Sequence, residues 1–220
     1  MLRRGAGDVA ARRTLFAMSK SSEGAGGALP DVPFHGRERL VAGIDQALAA
    51  GDCHAVTAAL RVVMCELIRD PGVRLPDCVH SPIEDHYARR ELYRSPTHGY
   101  SVVAMTWGPG QGTPIHDHAG CWCVEGVWEG ELEITQFELV ERDGDRFRFR
   151  SAGGLQAGPG SAGSLIPPHE YHTIRNADPR AIAVSLHVYE GPLEQCSRFE
   201  QASGEWYLRV DTALRTDQAA

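Results

Sequence analysis

From Tyr87 to Val210 the chain is cut into short runs of β-branched, aromatic and leucine residues, each closed off by Gly, Pro or Asp. The runs are Tyr87–Tyr93, Tyr100–Trp107, Trp122–Val127, Leu132–Val140, Arg146–Ser151, Ser164–Ile166, His172–Ile174, Ala181–Tyr189 and Trp206–Val210. Segments of this length suit strands better than helices. About nine of them at close spacing predict a double-sheet jelly roll or a small barrel. The Asp143-Gly144 pair within ERDGDRF reads as the turn of a hairpin.

Two helices are expected ahead of the strands, over Arg37–Ala50 and Asp52–Ile68. In the second, Val56, Leu60, Val63 and Ile68 recur near helical spacing, and Asp52 is placed to cap it. Pro71, Gly72 and Pro76 then break the pattern. The fold class is therefore mainly β, with N-terminal helices packed outside. Residues 1–33, rich in Arg, Gly, Ala and Ser, read as a disordered tail before one domain over 34–220. Met18 is an alternative start.

A chain of 220 residues suffices for one domain with a sizeable core. The net charge of -7 argues against nucleic acid or an anionic membrane as the main partner. No apolar run approaches the length of a membrane span. The six cysteines do not resemble a disulfide framework, so a reduced cytoplasm is the expected location. A monomer or small homo-oligomer is expected.

The chemistry concentrates in TPIHDHAGCWCVEGVWEG, Thr113 to Gly130. His116 and His118, two residues apart, leave the same face of an extended chain. Two surface histidines near a turn would be the plain alternative, but a second cluster follows in IPPHEYHTIRN and AIAVSLHVYE. His116, His118 and His172 would give a metal three neutral ligands and leave positions open, as catalytic sites do. Imidazole suits Zn, Cu, Fe and Ni alike. Ser185, His187 and Tyr189 alternate along one strand and share a face.

Gly110-x5-His116-x-His118 followed by Gly130 resembles the first cupin motif, and His172-x3-Asn176 the end of the second. Where cupins usually carry a metal-binding Glu, five residues after His118, this chain has Cys123. That replacement is similar to the cysteine dioxygenase family. So are Trp107, nine residues before His116, and Ser185-x-His187-x-Tyr189, whose tyrosine falls 17 residues after His172. The resemblance covers roughly residues 84 to 192.

The resemblance implies a cupin-type jelly-roll β-barrel, mononuclear Fe(II), O2 as co-substrate, and oxidation of a small thiol to its sulfinic acid. It makes His116, His118 and His172 the iron ligands. Cys123 and Tyr189 become the pair that can form a thioether bond, with His187 bonded to the tyrosine hydroxyl and Ser185 orienting the imidazole. Tyr87-Ala88-Arg89 matches a pattern whose arginine holds the substrate carboxylate. This leans toward L-cysteine over 3-mercaptopropionate, for which related bacterial enzymes carry Gln.

Several residues compete for these roles. His169 also follows Pro167-Pro168, but spacing to Asn176 and Tyr189 favours His172. Cys121 lies two residues from Cys123, and Arg90 beside Arg89; either arginine could be a solvated charge on an edge strand. Glu125 stands where the family is usually apolar, with no role evident. His35, His54, His80, His86 and His98 read as surface residues. A non-oxidative metal-dependent cupin enzyme using zinc-activated water, or a cupin sensor without turnover, also fits a three-histidine site. Both leave Cys123 and the Ser185-His187-Tyr189 face without a purpose.

Overall fold

The computed structural model describes residues 30–219. Helix α1 (Arg37–Leu48) and helix α2 (Cys53–Arg69) form where the apolar spacing predicts them. The Asp52 carboxylate caps α2 by accepting a hydrogen bond from the Ala55 amide at 2.9 Å. A short 3-10 helix, Asp77–His80, leads into eleven strands. These are β1 (Ala88–Arg94), β2 (Ser101–Trp107), β3 (Ile115–His116), β4 (Cys123–Glu129), β5 (Leu132–Asp143), β6 (Arg146–Ala157), β7 (Ala162–Leu165), β8 (His172–Arg175), β9 (Ala183–Tyr189), β10 (Gln195–Gln201) and β11 (Trp206–Ala213).

One sheet has the order β1-β2-β9-β4-β7; the other runs β10-β11-β6-β5-β8-β3 and closes on itself where β3 pairs with β10. The strand pairings of both sheets are antiparallel among the described residues. Both faces of the first sheet are covered. Val102, Ala104, Val124, Leu186 and Val188 pack outward against Leu40, Ile44, Leu60 and Met64 of the helices. Val103, Met105, Trp107, Cys123 and Tyr189 point the other way, into a second core. This explains why β2 and β9 are buried along their whole length. It also means that every second residue of β4 and β9 faces the barrel interior, which places the functional side chains.

Two glycines of the Thr113–Gly130 stretch lie against close neighbours, and at Gly130 the backbone itself requires one. A Cβ on Gly126 would meet Ile68 of α2 at 2.6 Å, so its absence lets the helix lie close over β4. Gly130 turns the chain from β4 to β5 at φ 71°, where a Cβ would stand 2.7 Å from the Ile182 carbonyl.

The structure differs from the sequence expectations at several points. Strand β10 was not anticipated, because QCSRFEQ is largely polar. Strand β3 holds only Ile115 and His116, so His118 lies just beyond it. Strands β5 and β6 extend to Asp143 and Ala157, and the hairpin turn is Gly144-Asp145, one residue later than read. Most of the 1–33 tail falls outside the described residues, but its end runs beside β1: the Val32 amide donates to the Leu92 carbonyl at 2.8 Å.

Candidate metal centre

His116 closes the short strand β3 and sits in register opposite His172, the first residue of β8. His118 follows two residues later, and the three ring centres lie 4.3, 5.2 and 5.3 Å apart. One ligand atom from each residue falls within 4.8 Å of the others. His118 and His172 are buried, and His116 is half-buried. Cross-strand pairing thus joins residues more than fifty positions apart.

Hydrogen bonding decides which nitrogen each ring can offer. The Nδ1 of His116 donates to the Pro114 carbonyl at 3.1 Å, and that of His172 to the Glu170 carbonyl at 3.0 Å. Nδ1 of His118 lies 3.2 Å from Oε2 of Glu170. Each Nδ1 is engaged, so each Nε2 keeps its lone pair for a metal. Burial, followed by the neighbouring imidazoles, holds His116 and His172 below the ordinary histidine range, so both are neutral. Three imidazole nitrogens converging on one point are a fit donor set for a divalent transition metal.

One wall of the site comes from β9. The Trp107 indole N–H can only donate, and it does so to Ser185 Oγ at 2.8 Å. Ser185 Oγ lies 2.8 Å from Nε2 of His187, and its own proton is free to bond there. This arrangement favours a His187 proton on Nδ1, which lies 3.4 Å from the Tyr189 hydroxyl. Burial pushes His187 down to about 3, so the ring is neutral. The Tyr189 hydroxyl is pushed well up by burial and then by Cys123, which keeps its proton on. Cys123 is fully buried, opposite Tyr189 in register, with Sγ 3.9 Å from His187 Nδ1.

Arg89 and Arg90 leave β1 in opposite directions, and neither is solvated. Arg89 is buried, with its guanidinium 5.9 Å from the centre of the Tyr189 ring and one N–H donated to the Leu193 carbonyl at 2.8 Å. Arg90 is committed elsewhere, donating to Thr106 Oγ1, the Ser81 carbonyl and the Gln218 carbonyl. Tyr87 stacks on Trp107 with ring centres 4.6 Å apart. His169 is exposed and outside the cluster, as are His35, His54, His80, His86 and His98. Cys121 is only half-buried and precedes β4.

Two acids stand close to the cluster, Glu170, which sequence reasoning missed, and Glu125, to which it gave no role. Glu170 is buried and accepts hydrogen bonds from His118; its place two residues before His172 was the available signal. Glu125 shares the inward parity of Cys123, which puts its carboxylate inside the barrel. Its Oε2 lies 3.5 Å from Nδ1 of His187 and 3.7 Å from Nε2 of His172. These are contacts rather than ion pairs, because both imidazoles are held neutral. Burial pushes Glu125 up to about 7. Asn176, by contrast, is structural: its amide donates to the carbonyls of Trp107, Gly108 and Ala181.

Residues 83–202 match the family model described as cysteine dioxygenase type I. The chain belongs to that family. Curated relatives include cysteine dioxygenase type 1 of Rattus norvegicus, 24% identical over 57% of this chain and 62% of the relative. The Danio rerio protein of the same name is 27% identical over 48% of this chain and 52% of its own. The chain thus spans less than two thirds of the length of these relatives. Among solved structures, an uncharacterized conserved protein with a double-stranded β-helix domain from Klebsiella pneumoniae is 18% identical. It aligns over 55% of this chain and 84% of its own, with a TM-score of 0.41. The two antiparallel sheets with helices packed outside are the mainly β fold class expected from the sequence. Among the described residues no helix is long and apolar enough to cross a membrane.

Proposed function

We propose that this protein is an iron-dependent thiol dioxygenase that oxidises L-cysteine with O2 to cysteine sulfinic acid. The observation that carries the proposal is the convergence of three imidazoles on one point beside the Cys123–Tyr189–His187–Ser185 wall. His116, His118 and His172 would hold Fe(II) through Nε2. When bound, the iron supplies the O2 chemistry that no side chain can perform, and a thiol and O2 become one sulfinic acid with both oxygens on sulfur. No outside reductant is needed.

The chain's own residues orient the reactants. Arg89 offers a fixed cation for the substrate carboxylate, and its stacked neighbours Tyr87 and Trp107 stiffen that end of the pocket. The Tyr189 hydroxyl keeps its proton and is available as a donor, with His187 set behind it by Ser185 and Trp107. Cys123 lies where a thioether to Tyr189 would lock this wall. The Ser-His-Tyr alignment has no evident use in a site that only activates water, which is why the oxidative reading is preferred to the zinc one.

The six cysteines of the chain are unpaired, which suits a reducing compartment such as the cytoplasm. Iron-loaded protein should consume O2 with L-cysteine and release the sulfinic acid, read by an oxygen electrode and mass spectrometry. Faster turnover of 3-mercaptopropionate would reassign the substrate. No O2 uptake with any thiol would overturn the dioxygenase reading.

A further inference from the structure

Strand β1 is the outer strand of its sheet, and chain from two distant segments covers its free edge. An outer strand leaves backbone groups that its own sheet does not pair. Toward the end of β1, the Val32 amide donates to the Leu92 carbonyl, and the Arg94 amide to the Pro30 carbonyl at 2.9 Å. At Arg89 the cover is residues 214–219, which follow β11. The Asp217 amide donates to the Arg89 carbonyl, and the Arg89 amide donates to Asp217 Oδ2, both at 2.8 Å. Asp217 thus clamps both backbone groups of Arg89.

The same segment is tied down on either side of that clamp. The Leu214 amide donates to the Glu194 carbonyl at 2.8 Å, and the Leu214 side chain packs against the core that holds Tyr189 and Leu193. The Gln218 carbonyl accepts from Arg90 at 3.2 Å. Leu214, Arg215 and Thr216 also form part of the wall of a cavity of about 480 Å³ that Arg89 reaches.

One contact of the segment depends on a proton. His86 Nε2 lies 3.2 Å from Asp217 Oδ1, and His86 Nδ1 lies 2.6 Å from Asp85 Oδ1. A protonated imidazole donates at both nitrogens; a neutral one donates at one and turns a lone pair toward the other carboxylate. The charged groups around the pair are Asp85, next to His86 in the chain, and Arg90, which acts on Asp217. Hydrogen bonds to Asp217 and then Asp85 hold His86 above the ordinary value of 6.5.

We propose that residues 214–219 are a strap that fixes Arg89 through the positioning residue Asp217, and that the His86–Asp217 contact is a latch that loosens as the pH rises. The latch is complete below 6.5 and is lost as the pH climbs through the raised value of His86. The strap stands on its own hydrogen bonds, while its effect on turnover rests on the dioxygenase reading above.

The test is hydrogen–deuterium exchange on the full chain between pH 6 and pH 9, each rate corrected for that of an unstructured peptide at the same pH. Protection of residues 86–90 and 213–219 should fall about two- to fivefold over this range, as loss of one exposed ion pair would cause. Asp85→Asn should move the fall to lower pH, because it removes a charge from beside His86 without touching the strap. His86→Ala should show the low protection throughout. A wild-type protection that ignores pH, or a fall that both variants leave in place, would overturn the proposal and make the segment a fixed cover of the strand edge. In iron-loaded protein His86→Ala should raise the KM for L-cysteine about two- to fivefold at pH 6, with kcat near wild type and no difference at pH 9. An unchanged KM at pH 6 would show that the strap does not fix Arg89. If no thiol is turned over, the dioxygenase reading falls, and the exchange measurement still decides the strap.

Discussion

Glu170 grips His118 at two points: one carboxylate oxygen lies 2.7 Å from the His118 amide, which donates to it, and 3.2 Å from Nδ1 of the same residue. The carbonyl of Glu170 holds His172 in turn. One residue therefore sets the orientation of two of the three rings. Glu170→Gln should weaken metal binding about ten- to a hundredfold, the range for partners that orient metal ligands, while the folded barrel persists. Competition against a metal-binding dye and far-ultraviolet circular dichroism check the two halves of this statement. Unchanged metal affinity would sink it.

His116→Ala, His118→Ala and His172→Ala should each abolish stable iron binding, and His169→Ala should keep nearly all of it. His169 is exposed and outside the cluster. Iron content of the purified variants by mass spectrometry decides the matter. Full iron retention in His172→Ala would return the third position to His169.

A fraction of protein exposed to iron, thiol and O2 should carry a Cys123–Tyr189 thioether. The two residues are directly opposite in register and both fully or almost fully buried. Joining them removes one hydrogen from each, with O2 as the acceptor, so the linked tryptic peptides should be two hydrogens lighter than their sum. A link through Cys121, or none under any condition, would show that the strand pairing misleads here.

The two neighbouring arginines should fail in different ways. Arg89→Gln should cost L-cysteine turnover about ten- to a hundredfold in kcat/KM, as one charged hydrogen bond would. Arg90→Gln should leave kinetics close to wild type and instead lower stability by roughly 1–3 kcal/mol, because its buried hydrogen bonds to Thr106 and Ser81 are lost. Steady-state kinetics and urea unfolding separate the cases. Kinetic damage from Arg90→Gln alone would reverse the carboxylate assignment.

Acid should destabilise the metal-free protein before its exposed carboxylates titrate. His116, His172 and His187 are all held below the ordinary value of 6.5, with His187 at about 3. The unfolded chain takes up protons below about 6.5 that the folded chain refuses, so stability is full above that pH and falls as the pH drops through the folded values. Glu125, raised from 4.5 to about 7, acts oppositely, its contribution fading as pH rises between those values. Three imidazoles outweigh one carboxyl. The melting temperature of metal-free protein should therefore fall between pH 7 and pH 5, and a flat profile would contradict the buried neutral rings.

Local pattern settled much of this protein. Period-two alternation alone put Ser185, His187 and Tyr189 on one face, because an extended chain leaves no other choice. The same parity separates Arg89 from Arg90 and turns Glu125 inward with Cys123. Capping chemistry placed the start of α2 at Asp52. Tertiary structure decided what local pattern could not carry. Pairing of β3 with β8 brought His172 to His116, and β10, too polar to announce itself, closed the second sheet. Only packing showed that Arg90 spends its charge holding the 3-10 helix to β2, and that Glu170 steadies two ligands at once. The solitude of Glu125 is of the same kind: whether a buried charge has a partner depends on residues distant in the chain, and no periodicity records them.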